Sequence, residues 1–112
     1  MAADGERIAT NIRKGVLEYC VLALLSRGEM YGLQLADELV ERGLTASEGS
    51  LYPLLVRMRD AGSVTTRWES ADSGRARRYY EITDTGREQL ALFAEVWRGM
   101  APQVGALLKE EP

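Results

Sequence analysis

A mainly α-helical chain carrying one two-stranded β-hairpin is the fold class that the sequence predicts, and three observations predict it. Apolar residues recur at three- and four-residue steps in three consecutive segments that end at Gly28, Gly43 and Gly62. From Val64 the period drops to two over a pair of short runs. Beyond Asp84 the helical period returns and holds as far as Leu107.

In the first segment, from Lys14 to Arg27, Leu17, Val21, Leu24 and Leu25 form one wide apolar face. Gly28 supplies a stop, since glycine takes the left-handed conformation without steric cost. Cys20 sits among Val16, Leu17, Val21 and Leu24 and reads as a buried, unreactive thiol. The second segment, from Met30 to Arg42, sets Leu35, Leu39 and Val40 on one side and Gln34, Asp37, Glu38 and Glu41 on the other, with Gly43 as its end. Tyr31-Gly32 opens it, and the glycine is expected to let the first two helices approach closely. The third segment has Ser47 as N-cap and Glu48 in its first turn, where negative charge suits the helix dipole. Leu51, Leu54 or Leu55, and Met58 mark its buried stripe. Pro53 has no backbone N–H, so it demands a local bend or a later helical start.

The period-2 runs place Val64, Thr66 and Trp68 on one face, and Tyr80 and Ile82 on one face of the returning run. The loop between them holds Asp72, Ser73 and Gly74 and is too long for a two-residue turn. Thr83-Asp84 then caps a final helix carrying Leu90, Phe93, Trp97, Met100, Val104 and Leu107. Their steps of 3, 4, 3, 4 and 3 are the alternation of a coiled-coil seam, which needs a second copy of the chain to cover it. Gly99 and Pro102 are expected to bend or weaken that helix midway.

At 112 residues and 46% hydrophobic content the chain suits one compact domain. Residues 1–83 form the N-terminal segment and the helix-helix-helix-hairpin region; residues 84–112 form the dimerisation helix. Arg27, Glu29 and Gln34 interrupt the most apolar stretch, so no membrane span is expected. The polar start, Met1 to Lys14, lacks the apolar block of a secretion signal, which points to the cytoplasm. With no histidine and one cysteine, neither a zinc site nor a histidine-based catalytic group can be assembled, and no cofactor is expected. Glu48, Ser50 and Tyr52 are the one grouping an enzyme could use, and nothing near them in sequence activates a hydroxyl.

Three helices followed by a hairpin is the order of a winged helix-turn-helix, in which the third helix enters the DNA major groove and the hairpin follows the phosphates or the minor groove. The chain has 14 basic and 17 acidic residues, a net charge of −3, yet its hairpin reverses that sign. Arg67, Arg75, Arg77 and Arg78 stand there against Glu69 and Asp72. Forked guanidinium donors suit phosphate contacts. On the third helix, Gly49, Ser50, Tyr52, Pro53, Val56 and Arg57 remain outside the buried stripe. Ser50 and Tyr52 can donate to phosphates or base edges, and Gly49 permits close backbone approach. Tyr52 has packing against the hairpin as its structural alternative. With no Asn or Gln on this helix for an adenine, readout leans on DNA shape. The acidic total leaves open a winged helix that binds protein instead of DNA.

Several of these residues carry a family resemblance. The run Val16 to Leu25, the pair Tyr31-Gly32, Glu48-Gly49-Ser50-Leu51-Tyr52-Pro53-Leu54-Leu55 with Arg57-Met58, the wing Gly74-Arg75-Ala76-Arg77-Arg78-Tyr79-Tyr80, and Ile82-Thr83-Asp84-Thr85-Gly86 together resemble the PadR family of transcriptional regulators. The resemblance covers about residues 14–108 and departs where Glu48 replaces a proline frequent in the family. It implies a homodimer joined through its last helix, in the compact branch of the family, that represses genes of phenolic-acid or drug detoxification at an inverted-repeat operator in double-stranded DNA. On that analogy Ser47, Gly49, Ser50, Tyr52 and Arg57 with the wing arginines Arg75, Arg77 and Arg78 contact DNA. Some compact members bind flat, hydrophobic drugs between subunits against an aromatic residue of the last helix, a place matched by Trp97. Phe93 and Met100 would complete an apolar wall for a small aromatic ligand. Trp97 serves equally well as packing between two subunits.

Overall fold

A computed structural model describes residues 2–45, 47–70 and 74–109, with the side chains of Ala2 and Ala3 excepted. The order is α1 (Ala2–Leu25), β1 (Met30–Tyr31), α2 (Gly32–Glu41), a 3-10 turn (Glu48–Ser50), α3 (Leu51–Asp60), β2 (Val64–Ser70), β3 (Ala76–Ile82) and α4 (Asp84–Lys109). This is a winged helix-turn-helix, mainly helical, with a long C-terminal helix, as the sequence predicts.

Four local expectations change. Helix α1 begins at Ala2, a dozen residues before Lys14, and Arg13 ties this extension to the end of α2 through Nε–H donation to the Gly43 carbonyl at 3.0 Å. The hairpin gains a third strand: Met30 pairs with Tyr80 and Tyr31 with Tyr79, giving the order β1-β3-β2. Val40 is exposed, and Ala36 fills the buried face of α2 beside Leu35 and Leu39. Gly32 makes room for the Tyr52 ring of α3, not for α1, since a Cβ there would stand 3.1 Å from Tyr52 Cε1.

Pro53 is accommodated by the later helical start. A 3-10 turn absorbs residues 48–50, and Pro53 becomes the third residue of α3, where a backbone N–H has no intrahelical partner to lose. Ser47 precedes that turn in extended conformation, but its Oγ lies 3.1 Å from Ser50 Oγ and caps no backbone N–H. Gly43 and Gly62 end α2 and α3 with φ of 73° and 82°, values that favour glycine. The expected turn residues Asp72 and Ser73 lie outside the described residues. Helix α4 runs through Gly99 and Pro102 without interruption.

The core is formed by Val21, Leu22 and Leu25 of α1, Leu35 and Leu39 of α2, the α3 stripe Leu51, Leu54, Leu55 and Met58, and Val64, Tyr80 and Ile82 of the sheet. Both leucines left as alternatives, Leu54 and Leu55, are buried. Cys20 is half-buried against this core, and burial raises its thiol pKa, which keeps it protonated and unreactive. At the start of α4 the Thr83 hydroxyl caps the helix by accepting from the Gly86 N–H at 3.1 Å and itself donates to the Gly62 carbonyl at 2.6 Å. Gly86 is buried against the Ser63 carbonyl with no space for a side chain. These contacts fix the root of α4 beside the end of α3.

Candidate nucleic-acid interface

The tip of α3 and one side of the wing meet at a shallow cleft of about 220 Å³, lined by Tyr31, Gly32, Leu33, Tyr52, Trp68, Arg77, Arg78 and Tyr80. Three sequence-predicted residues, Tyr52, Arg77 and Arg78, are therefore brought together. Tyr52 is 39% exposed, and its hydroxyl donates to Glu48 Oε1 at 2.8 Å. Partial burial, then the hydrogen bond to Glu48, raises its pKa, so the phenol remains a protonated donor at neutral pH. Ser47 and Ser50 lie exposed one turn earlier and share their own hydroxyl contact; Gly49 between them is open on its side-chain face.

The wing arginines are held by aromatic rings. The Arg77 guanidinium carbon lies 4.6 Å from the centre of the Tyr31 ring, and that of Arg78 lies 4.6 Å from Trp68. Trp68 and Arg78 are directly opposed in the β2–β3 register, where side chains stand close enough to stack. Arg78 Nε is buried without a hydrogen-bond partner among the described residues. Arg75, Arg77 and Arg78 enter no ion pair among those residues. Arg67 differs from the expectation for it. It is clasped by Glu29 and by Glu69, with Nε–H donation to Glu29 Oε2 at 3.0 Å, and it covers the Tyr79 ring. Its hydrogen bonds hold the Glu29 carboxyl below its usual range. Arg67 braces the base of the wing and is not free for phosphate.

Arg57 and Ser50 do not line this cleft. They line a cavity of about 490 Å³ between α1 and α3, with Thr10, Arg13, Lys14, Leu17, Thr45 and Leu54.

A model of the "Transcriptional regulator PadR-like family" matches residues 21–92, which span the core, the reading helix, the wing and the root of α4. The chain belongs to the PadR-like family. Among relatives, it is 30% identical over 78 residues to the Negative transcriptional regulator PadR of Bacillus subtilis, covering 67% of this chain and 43% of that protein. The matched stretch spans about half the length of two of these curated relatives, the Bacillus subtilis regulator and a transcriptional regulator of Mycobacterium tuberculosis. Among solved structures, a PadR-like transcriptional regulator from Bacillus cereus superposes with a TM-score of 0.82 at 41% identity, covering 90% of this chain and 99% of that one. Bacillus subtilis PadR in complex with operator DNA superposes with a TM-score of 0.64 at 25% identity, covering 87% of this chain and 48% of that one.

The last helix of this PadR-like chain divides the predicted seam in two. Leu90 packs against the core of its own chain, and Phe93 stacks on Tyr19 of α1 with ring centres 4.3 Å apart. Trp97 continues the stack on Phe93 at 5.8 Å and is 49% exposed; Met100, Val104 and Leu107 are more exposed still. A cavity of about 330 Å³ opens beside this aromatic ladder, lined by Glu18, Tyr19, Gln89, Leu92, Phe93 and Val96. Sequence reasoning missed three contributors: Tyr31 and Trp68 as platforms for the wing arginines, and Tyr19 beneath Phe93. The signal for Trp68 was present in the hairpin, because once the register is known Arg78 falls opposite it. Among the described residues no helix is long and apolar enough to cross a membrane, and no cluster of metal-binding side chains occurs.

Proposed function

We propose that this chain acts as a homodimer on double-stranded DNA, reading an inverted-repeat operator and repressing the genes beside it. The observation that carries the proposal is the cleft in which the tip of the reading helix, at Tyr52, adjoins wing arginines that enter no ion pair among the described residues. A duplex presents base edges and phosphates within one groove width of each other, and this surface offers polar side chains of the helix tip to the first and arginine donors to the second. The likeness to a regulator crystallised on its operator supports the same use of the surface, and the relative named a negative regulator supports repression. Two copies join through the exposed seam of Trp97, Met100, Val104 and Leu107, with Leu90 and Phe93 at its root. They set two reading helices about 34 Å apart, one helical turn of DNA.

Trp97, with Phe93 and Met100, receives a small aromatic or hydrophobic ligand between subunits. The half-exposed Trp97, stacked on Phe93, and the cavity that Phe93 lines support this assignment. Such a ligand changes the angle between subunits, misaligns one half-site and releases the DNA. The direct test is fluorescence anisotropy with the duplex upstream of the chain's own gene at two salt concentrations. Binding above that of random duplex, weakening with salt, is expected; equal affinity for both duplexes at each salt contradicts operator reading. For the ligand, planar aromatic compounds are expected to quench Trp97 fluorescence in a Trp68→Phe background. Unchanged emission and unchanged DNA affinity across those compounds contradict it.

A further inference from the structure

We propose that Glu48 reads a base: its carboxylate, oriented by Tyr52, accepts a hydrogen bond from the exocyclic amine of a cytosine in the major groove and sets a C·G preference at one position of each half-site. The inference rests on the DNA-binding reading above and deepens it by naming what the tip of α3 recognises.

The exposed side chains at this tip are Ser47, Glu48, Ser50 and Tyr52. Hydroxyls both donate and accept, so they tolerate most base edges. A carboxylate only accepts. In the major groove guanine N7 and O6 and thymine O4 are acceptors too, and they repel it; adenine sets its N6 donor beside the N7 acceptor, whereas the cytosine N4 amine is a donor with no acceptor next to it and matches the carboxylate best. A wrong base leaves a desolvated negative charge unpaired beside the phosphates, so discrimination comes from exclusion as much as from attraction.

Orientation separates Glu48 from an ordinary surface glutamate. Its Oε1 accepts from the Tyr52 hydroxyl at 2.8 Å, and the Tyr52 ring is seated against Gly32, where a Cβ would stand 3.1 Å away. Glu48 enters no ion pair among the described residues, which leaves Oε2 to accept from a base. Tyr52 is thus a positioning residue for Glu48, and Gly32 for Tyr52.

The experiment is selection of preferred duplexes from a randomised pool by the full chain, followed by affinity measurement on single-base variants, for wild type, Glu48→Ala, Glu48→Gln and Tyr52→Phe. Because Glu48 is exposed, equal melting temperatures are expected and verify that the variants fold. Wild type is expected to enrich an inverted repeat with C·G at one symmetric position. Glu48→Ala should lose that preference alone, by about tenfold, while Glu48→Gln moves it toward adenine. Tyr52→Phe should keep cytosine but narrow the discrimination, which a merely structural tyrosine would not do. An enriched repeat whose every base preference survives in Glu48→Ala overturns the inference and leaves operator reading intact. So does a uniform gain in affinity on all sequences, which would make Glu48 only a repulsive charge. A wild type that enriches no sequence overturns both.

Discussion

The winged-helix half of the molecule and its two projecting arms differ in what their apolar side chains touch. Leu22, Leu35, Leu39 and Leu55 are fully enclosed by their own chain. Along the N-terminal half of α1 and the C-terminal half of α4, by contrast, Ile8, Ile12, Met100 and Leu107 each keep more than half of their surface in water. The arms contribute to a long axis of 60 Å in a particle only 21 Å thick. One half closes its core within a single chain. The other carries a seam that a second copy is proposed to close, so stability and association are written in separate residues.

Substitutions should separate these two properties. Leu55→Ala, in the enclosed half, is expected to cost about 2–5 kcal/mol of unfolding free energy, read by denaturant titration. A cost near that of a surface leucine would show that the core is looser than described. Met100→Glu with Leu107→Glu, in the arm, should weaken self-association by roughly thirtyfold or more while leaving the core packed. Sedimentation at several concentrations measures the first, and near-ultraviolet circular dichroism the second. Loss of both together would show that the two regions are not independent.

Smaller effects are expected at the wing. Arg77→Ala with Arg78→Ala should lower affinity on all DNA sequences and reduce the salt slope by roughly 0.9 for each phosphate that is no longer neutralised. An unchanged slope removes these arginines from the interface. At the base of the wing, Glu29→Gln should loosen the clasp on Arg67 and lower the melting temperature slightly at neutral pH. The Glu29 carboxyl is held below its ordinary 4.5, so its contribution is present above that value and lost as pH falls through the lowered one. The gap between variant and wild type should therefore close in acid; a gap that persists there would have another origin.

The sequence carried the helical core well, because Leu51, Leu55 and Met58 must repeat with the helix if one face is to be buried. The hairpin faces were legible next to the core, where Val64, Tyr80 and Ile82 are buried as the alternation requires, but Trp68, placed on the Val64 face, is 62% exposed. What escaped depended on partners distant in the chain. The pairing of Met30 and Tyr31 with β3 spans only two residues, too short to leave a period. The extension of α1 carries too few apolar residues to form a stripe, and its tie through Arg13 to Gly43 crosses thirty positions. Of the candidate site, Tyr52, Arg77 and Arg78 were visible as residue types, but their cleft was not. The clasp that removes Arg67 from it depends on Glu29, far away in sequence.

Two copies, joined by the exposed parts of their last helices, are proposed to present two reading helices to one duplex. Sedimentation of the chain with a duplex from upstream of its own gene tests this most directly. Two chains per duplex are predicted, with the Met100→Glu, Leu107→Glu variant failing to form that complex at the same concentration. A single chain bound per duplex, or a monomer at every concentration with operator affinity unimpaired by the variant, would contradict it.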